Sequence, residues 1–181
     1  MEIVIIGSGN LATQLSLALK EAGHNIVQVY SPTEQHAKTL AAKIDCAYTT
    51  TADEVRQDAD FYVIAIKDDA IRGIAATLSH KIGKAVIVHT AGSMPMDVFI
   101  GHASRYGVLY PMQTFSKDKK VDFREIPCFI EASDEQTLTV IRRLADSISD
   151  HVVEVDSEKR KKMHLAAVLA CNLTNHCYRL A

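Results

Sequence analysis

No uninterrupted apolar run in the 181 residues approaches the ~18 needed to span a bilayer as a helix, so no membrane role is expected. An excess of one charge is missing too: 20 Lys and Arg stand against 22 Asp and Glu, a formal net charge of −2. That balance argues against nucleic-acid or polyanion binding as the main task. The one basic cluster, Lys159-Arg160-Lys161-Lys162, reads as a solvated face, with reach toward an anionic substrate as the alternative. The cysteines Cys46, Cys128, Cys171 and Cys177 form no C-x-x-C pair, which leaves the expectation of reduced thiols in a cytoplasmic protein. The histidines are scattered, with no H-x-x-x-H pair and no His/Cys cluster. His164 and His176 share an expected helix but lie roughly 18 Å apart along it, too far to hold one metal ion. Met1 leads directly into an apolar segment, so no signal peptide is expected before it.

What is present starts at the N-terminus. Glu2-Ile3-Val4-Ile5-Ile6 is apolar without helical spacing, as suits a buried strand. Gly7-Ser8-Gly9-Asn10-Leu11-Ala12 follows, a G-x-G-x-x-A turn. Leu11, Leu15, Ala18, Leu19 and Ala22 then recur at three- and four-residue spacing up to Gly23, which marks a helix and its C-cap. Residues 25–30 form a second apolar strand. In this context Gly7 permits the tight turn, Gly9 lets a pyrophosphate approach the bare backbone, and Ala12 allows close helix–strand packing. The helix N-terminus offers unpaired N–H groups and partial positive charge to the phosphates. A dinucleotide is therefore the expected ligand.

At the tip of the second strand an NAD site usually carries an acid for the ribose hydroxyls. Here the tip reads Tyr30-Ser31-Pro32-Thr33. Ser31 and Thr33 are candidates to hydrogen-bond a 2′-phosphate, or else they cap the next helix. The missing acid favours NADP over NAD, although the guanidinium that often clamps the 2′-phosphate is also missing, with Pro32 where it would stand.

The remaining pattern alternates helix and strand. Helices are expected at 33–43, 52–56, 68–78, 96–104 and 134–148, the last capped by Ser133; strands are expected at 46–49, 61–66, 85–89, 107–110, 127–132 and 151–155. Residues 116–125 read as an exposed charged loop. Asp68 reads as a helix N-cap rather than a catalytic acid. Ile66, Lys67 and Thr90 fall at carboxyl ends of strands, where an open α/β sheet binds its ligands. The Thr90-Ala91-Gly92-Ser93 loop is either a substrate-carboxylate contact or a simple turn. The expected fold is α/β, a Rossmann-type doubly wound, mostly parallel sheet with helices on both faces. Residues 1–155 form that domain, and 156–181 stand outside it.

No Gly or Pro occurs in 157–181, and 163–173 is almost wholly apolar, so this helix should be buried on several sides. Either the chain continues into a second domain, or another copy covers the helix. His164, Asn172 and Asn175 are its polar interruptions, the first two about two turns apart on one face. They either face a substrate cleft or are satisfied groups at a packing surface.

His89-Thr90-Ala91-Gly92-Ser93-Met94-Pro95, Gly107-Val108-Leu109-Tyr110-Pro111-Met112-Gln113-Thr114-Phe115, and Met163-His164-Leu165-Ala166-Ala167 with Asn172 form a specific set. Together they resemble a Rossmann-like oxidoreductase family related to pyrroline-5-carboxylate reductase and the deazaflavin-dependent NADP reductases. The resemblance spans the whole chain. It implies an N-terminal Rossmann domain and a helical C-terminal dimerisation or substrate domain that often dimerises, with residues 156–181 as the first helix of that second domain. It also implies that Gly7, Gly9 and Asn10 hold the pyrophosphate, that Ser31 and Thr33 face the ribose phosphate, and that His164 and Asn172 line the cleft. The expected activity is NADP-dependent hydride transfer to or from a small imine or keto-acid-like substrate, with His164 and Asn172 as the catalytic pair. A non-catalytic NADP-binding sensor or scaffold is the competing expectation, since fold alone does not establish chemistry.

Overall fold

The computed structural model describes residues 1–79, 81–117, 119 and 121–180. Eight strands, β1 (Glu2–Ile6), β2 (Asn25–Tyr30), β3 (Ala47–Thr49), β4 (Phe61–Ile64), β5 (Val86–His89), β6 (Tyr106–Pro111), β7 (Cys128–Ala132) and β8 (Val152–Glu154), form one sheet. Their order is β3-β2-β1-β4-β5-β6-β7-β8. Every pair is parallel except β6 with β7, which run antiparallel. The first six strands give the Rossmann order, whose reversal lies between β1 and β4.

Helices α1 (Asn10–Glu21), α2 (Glu34–Ile44), α3 (Asp68–Leu78) and α4 (Glu135–Asp146) cover the sheet. Consecutive strand side chains point to opposite faces, so one apolar strand feeds two cores. Ile3 and Ile5 pack with Leu15 and Leu19 of α1, Leu40 of α2 and Ile141 of α4. Val4 and Ile6 pack with Ile71 and Leu78 of α3 and with Phe99. The whole of 3–6 is solvent-free, and this two-sided burial is why no alternation is seen in its sequence.

Several expectations change in detail. The helices expected at 52–56 and 96–104 are single 3₁₀ turns, Ala52–Glu54 and Met96–Phe99. The second is followed by Gly101 at φ +78°, a left-handed residue that an α-helix does not contain. Asp134, not Ser133, caps α4: its carboxylate accepts the Thr137 N–H at 2.9 Å and the Thr137 hydroxyl at 2.7 Å. Lys67 occupies the N-cap position of α3, and Asp68 instead accepts a hydrogen bond from the Ser93 hydroxyl. Within 116–125 a 3₁₀ turn, Phe123–Glu125, buries Phe123 against the Phe115 ring 5.5 Å away. Asp118 and Lys120 of that expected loop, and Ala181 of the tail, lie outside the described residues.

The tail is not one regular helix. It runs as α5 (Ser157–Ala167), a π turn (Val168–Leu173) and α6 (Thr174–Leu180). The expected burial does not occur within this chain, since Leu165, Leu169, Leu173 and Tyr178 are all at least half exposed. The basic cluster at 159–162 is not a uniformly solvated face either. Arg160 is the largest fully buried side chain among the described residues. No helix among the described residues is long and apolar enough to cross a membrane.

Candidate functional site

A hollow of about 570 Å³ opens at the carboxyl ends of β1, β4 and β5. Its walls are the β1–α1 turn from Gly7 to Leu11, Ser31 and Pro32 after β2, residues 65–68 after β4, and Thr90 to Gly92 after β5. Tyr110 of β6 and His164 of α5 close the other end. Thus Gly7, Ser8, Gly9, Asn10, Leu11, Ser31, Ile66, Lys67, Thr90 and His164 meet at one place. Thr33 and Asn172 do not. Thr33 is exposed at the start of α2 and makes no side-chain cap. Asn172 is exposed beyond α5, where the π turn alters the helical phase that would have set it above His164.

The turn leaves the start of α1 open to the hollow. Gly7 has φ +123°, and a Cβ there would stand 2.2 Å from the Ala65 carbonyl oxygen, so only glycine fits between β1 and β4. Gly9 differs: its φ of −74° suits any residue. A Cβ on Gly9 would project into open space, with nothing within 4 Å. That space is where a diphosphate would lie against α1. No acid stands in the first turn of α1, so no carboxylate there competes for its free N–H groups. The residues present therefore fit a dinucleotide pyrophosphate. Ser8 donates its hydroxyl to Ser31 at 2.8 Å, both side chains being buried, which joins the turn to the tip of β2. The Asn10 amide donates to the Phe115 carbonyl at 2.9 Å, so this side chain ties the 111–115 segment over the turn.

The opposite end is held by a buried polar network. His89 is solvent-free, and its Nδ1 accepts the Ala91 N–H at 3.2 Å. Its Nε2 therefore carries the proton toward the Pro95 carbonyl, 3.3 Å away. Burial, and then the nearby Arg160 charge, pushes the His89 pKa down to about 3, so the ring stays neutral and closes the 89–95 loop on itself. From α5, the Arg160 guanidinium pairs with Glu131 of β7 and donates to the Met94 carbonyl at 2.5 Å. Ser157 donates its hydroxyl to Glu131 at 2.7 Å and accepts the Met96 N–H at 3.2 Å. The loop after β5 and the start of α5 are thereby one body, and His164 sits one turn beyond Arg160. Its Nδ1 lies 2.8 Å from the Tyr110 hydroxyl, with the rings edge to face at 5.7 Å. Burial raises the Tyr110 pKa, with Arg160 opposing and Asp68 adding to the rise.

Sequence reasoning did not single out Tyr110, Arg160 or Glu131 as site residues. Tyr110 stood inside a noted motif at a strand end, where its position was the available signal. Arg160 had none, because one arginine among four basic residues looks like its neighbours. A second hollow, about 800 Å³, lies across α1 near Phe123 and Ser147 and holds none of the candidate residues. Among the described residues no group of three or more His, Cys, Asp or Glu is placed to hold a metal.

Comparison with known proteins agrees with this geometry. Residues 2–92 match the family described as NADP oxidoreductase, coenzyme F420-dependent. The chain belongs to that family. Residues 126–181 also match a domain of unknown function. A crystal structure of a candidate NADP oxidoreductase from Bacteroides fragilis shares 50% identity and a TM-score of 0.96, over 99% of this chain and 70% of that one. A Thermotoga maritima protein shares the fold at 24% identity and TM-score 0.79, over 98% of this chain and 67% of that one. So does a pyrroline-5-carboxylate reductase from Coxiella burnetii, at 18% identity and TM-score 0.71, over 88% of this chain and 60% of that one. No curated protein matches the chain.

Proposed function

We propose that the chain binds NADP, in preference to NAD, across the hollow and moves hydride between its nicotinamide and a small imine or keto-acid-like substrate. The observation that carries this is the open space beside Gly9, facing unpaired helix N–H groups with no acid in the first turn. A bound nicotinamide cofactor supplies or accepts the hydride. Gly7, Ser8, Gly9, Asn10 and Leu11 hold the pyrophosphate, Ser31 faces the adenosine ribose, and Ile66, Lys67 and Thr90 flank the nicotinamide end. Hydride addition to a C=N or C=O carbon leaves an electron pair on nitrogen or oxygen, and a polar donor must meet it. In this reading His164 meets it, supported by its position at the end of the hollow. Asn172 would join it only through a further movement of the tail.

Residues 156–181 begin a helical substrate or dimerisation domain in this reading, and the exposed apolar side of the tail pairs with a second copy in a homodimer. The free thiols suit a cytoplasmic location. A non-catalytic NADP-binding sensor is the second reading, favoured by one observation: Asn172 stays outside the hollow, so His164 stands without its expected partner.

The test is turnover of NADPH by the full-length protein across imine and keto-acid panels, with and without His164→Ala. Loss of turnover with nearly intact cofactor affinity is expected. Tight NADPH binding with no turnover on any substrate supports the sensor, and activity that survives the substitution removes His164 from the chemistry.

A further inference from the structure

What His164 offers a ligand depends on which ring nitrogen holds the proton. Nδ1 lies 2.8 Å from the Tyr110 hydroxyl oxygen, a distance met by two arrangements. Either the phenol donates to a bare Nδ1, or a protonated Nδ1 donates to the phenol oxygen. The surroundings separate the two. Tyr110 is 8% exposed, and among the described residues its hydroxyl has no other hydrogen-bond partner. Were Nδ1 protonated, the phenol proton of this largely buried residue would be left without a protein acceptor among the described residues. With Nδ1 bare, both groups are satisfied, and the stronger acid of the pair is the donor.

Packing removes the remaining freedom. A Cβ on Gly92 would stand 2.6 Å from both Cγ and Nδ1 of His164 and 2.8 Å from Cζ of Tyr110. The loop backbone therefore presses directly on both rings, and only glycine permits the approach. Arg160, one turn earlier on α5, fixes the height of the helix through Glu131 and the Met94 carbonyl. We infer that Tyr110 is a positioning residue that holds His164 as the Nε2–H tautomer, so that the imidazole edge left for a ligand is a hydrogen-bond donor. Burial supports this by keeping the phenol protonated.

A substrate class follows, resting on the reading of the hollow as a nicotinamide site. A neutral Nε2–H complements an acceptor, such as the oxygen of a keto acid or the lone pair of a neutral imine. It opposes an iminium or ammonium group, whose own N–H would point at it. Of the two substrate chemistries proposed above, a carbonyl is the better match.

The experiment is long-range proton–nitrogen NMR of the histidine-labelled full chain at neutral pH without nucleotide, with His164 assigned by comparison with His164→Ala. The expected wild-type spectrum has a protonated Nε2 and a bare Nδ1, the latter displaced from the free-nitrogen position by the phenol proton. Tyr110→Phe keeps the ring and its packing but deletes the donor, so the displacement should vanish. A proton on Nδ1 in the wild type overturns the inference, and so does an unchanged Nδ1 resonance in the phenylalanine variant. The wild-type spectrum decides alone if that variant does not fold. Because no nucleotide is present, failure here is distinct from failure of the nicotinamide reading.

Discussion

Replacing Arg160 with methionine should detach α5 from the sheet while leaving the phosphate cradle intact. The guanidinium is solvent-free and the Glu131 side chain only 13% exposed, so the substitution leaves a carboxylate nearly buried without its cation. Breaking such a pair from one side costs about 3–5 kcal/mol. Two Ser157 contacts, from its N–H at 2.9 Å and its hydroxyl at 2.7 Å, remain on Glu131 and place the expected loss at the low end, about 3 kcal/mol. For a chain of this size that corresponds to a fall in Tm of about 6–12 °C. Among the described residues Arg160 Nε has no hydrogen-bond partner, so the native pair itself is imperfect, and Arg160→Met with Glu131→Leu should regain most of the loss. Urea unfolding gives the magnitude, and hydrogen exchange should show the loss of protection concentrated in α5. A loss below about 1 kcal/mol, or no recovery in the double variant, would refute the reasoning.

Two further outcomes are expected. The His89 pKa lies at about 3 against an ordinary 6.5, so between these values the unfolded chain binds a proton that the folded one does not. Stability therefore falls as pH drops through that window, by about 1.4 kcal/mol per unit, and is flat in this respect above it. Urea midpoints across the window should show that His89→Asn loses this slope; an equal slope in both proteins would mean that the ring takes up its proton while folded. Pro32 lines the hollow where a 2′-phosphate would arrive. Pro32→Arg should therefore tighten NADPH by about 1.5–3 kcal/mol, roughly 10–150-fold, without tightening NADH. Equal effects on the two nucleotides, measured by fluorescence titration, would place the phosphate elsewhere.

The half of the hollow around the glycine turn was legible in the sequence because it is local. The glycine turn lies directly between the strand before it and the helix after it, and Ser31 follows at the next strand tip. The end at Tyr110 and His164 was not, because it is assembled across sequence separations of 54 between Tyr110 and His164 and 66 between Met94 and Arg160. His164 was readable as a polar break in an apolar helix. Asn172 gave the same signal, but the π turn, which no spacing rule anticipates, carried it away. The capping error at Ser133 has a similar origin: Ser133 and Asp134 are both good N-caps, and the Ser133 N–H instead bonds the Tyr106 carbonyl at 2.9 Å, extending the strand by a residue. The expected helix at 96–104 ran through Gly101, whose left-handed backbone ends the short turn at Met96–Phe99.

The most direct test of the dinucleotide site is a fluorescence titration of the full-length protein with NADPH and NADH, repeated with Gly9→Val. The backbone at Gly9 accepts valine without strain, so the fold should survive while the added methyls fill the open space beside it, where the proposed pyrophosphate would lie. Saturable binding by the wild type and its loss in the variant are predicted. Unchanged affinity in Gly9→Val, or no wild-type binding at high nucleotide concentration, would contradict it.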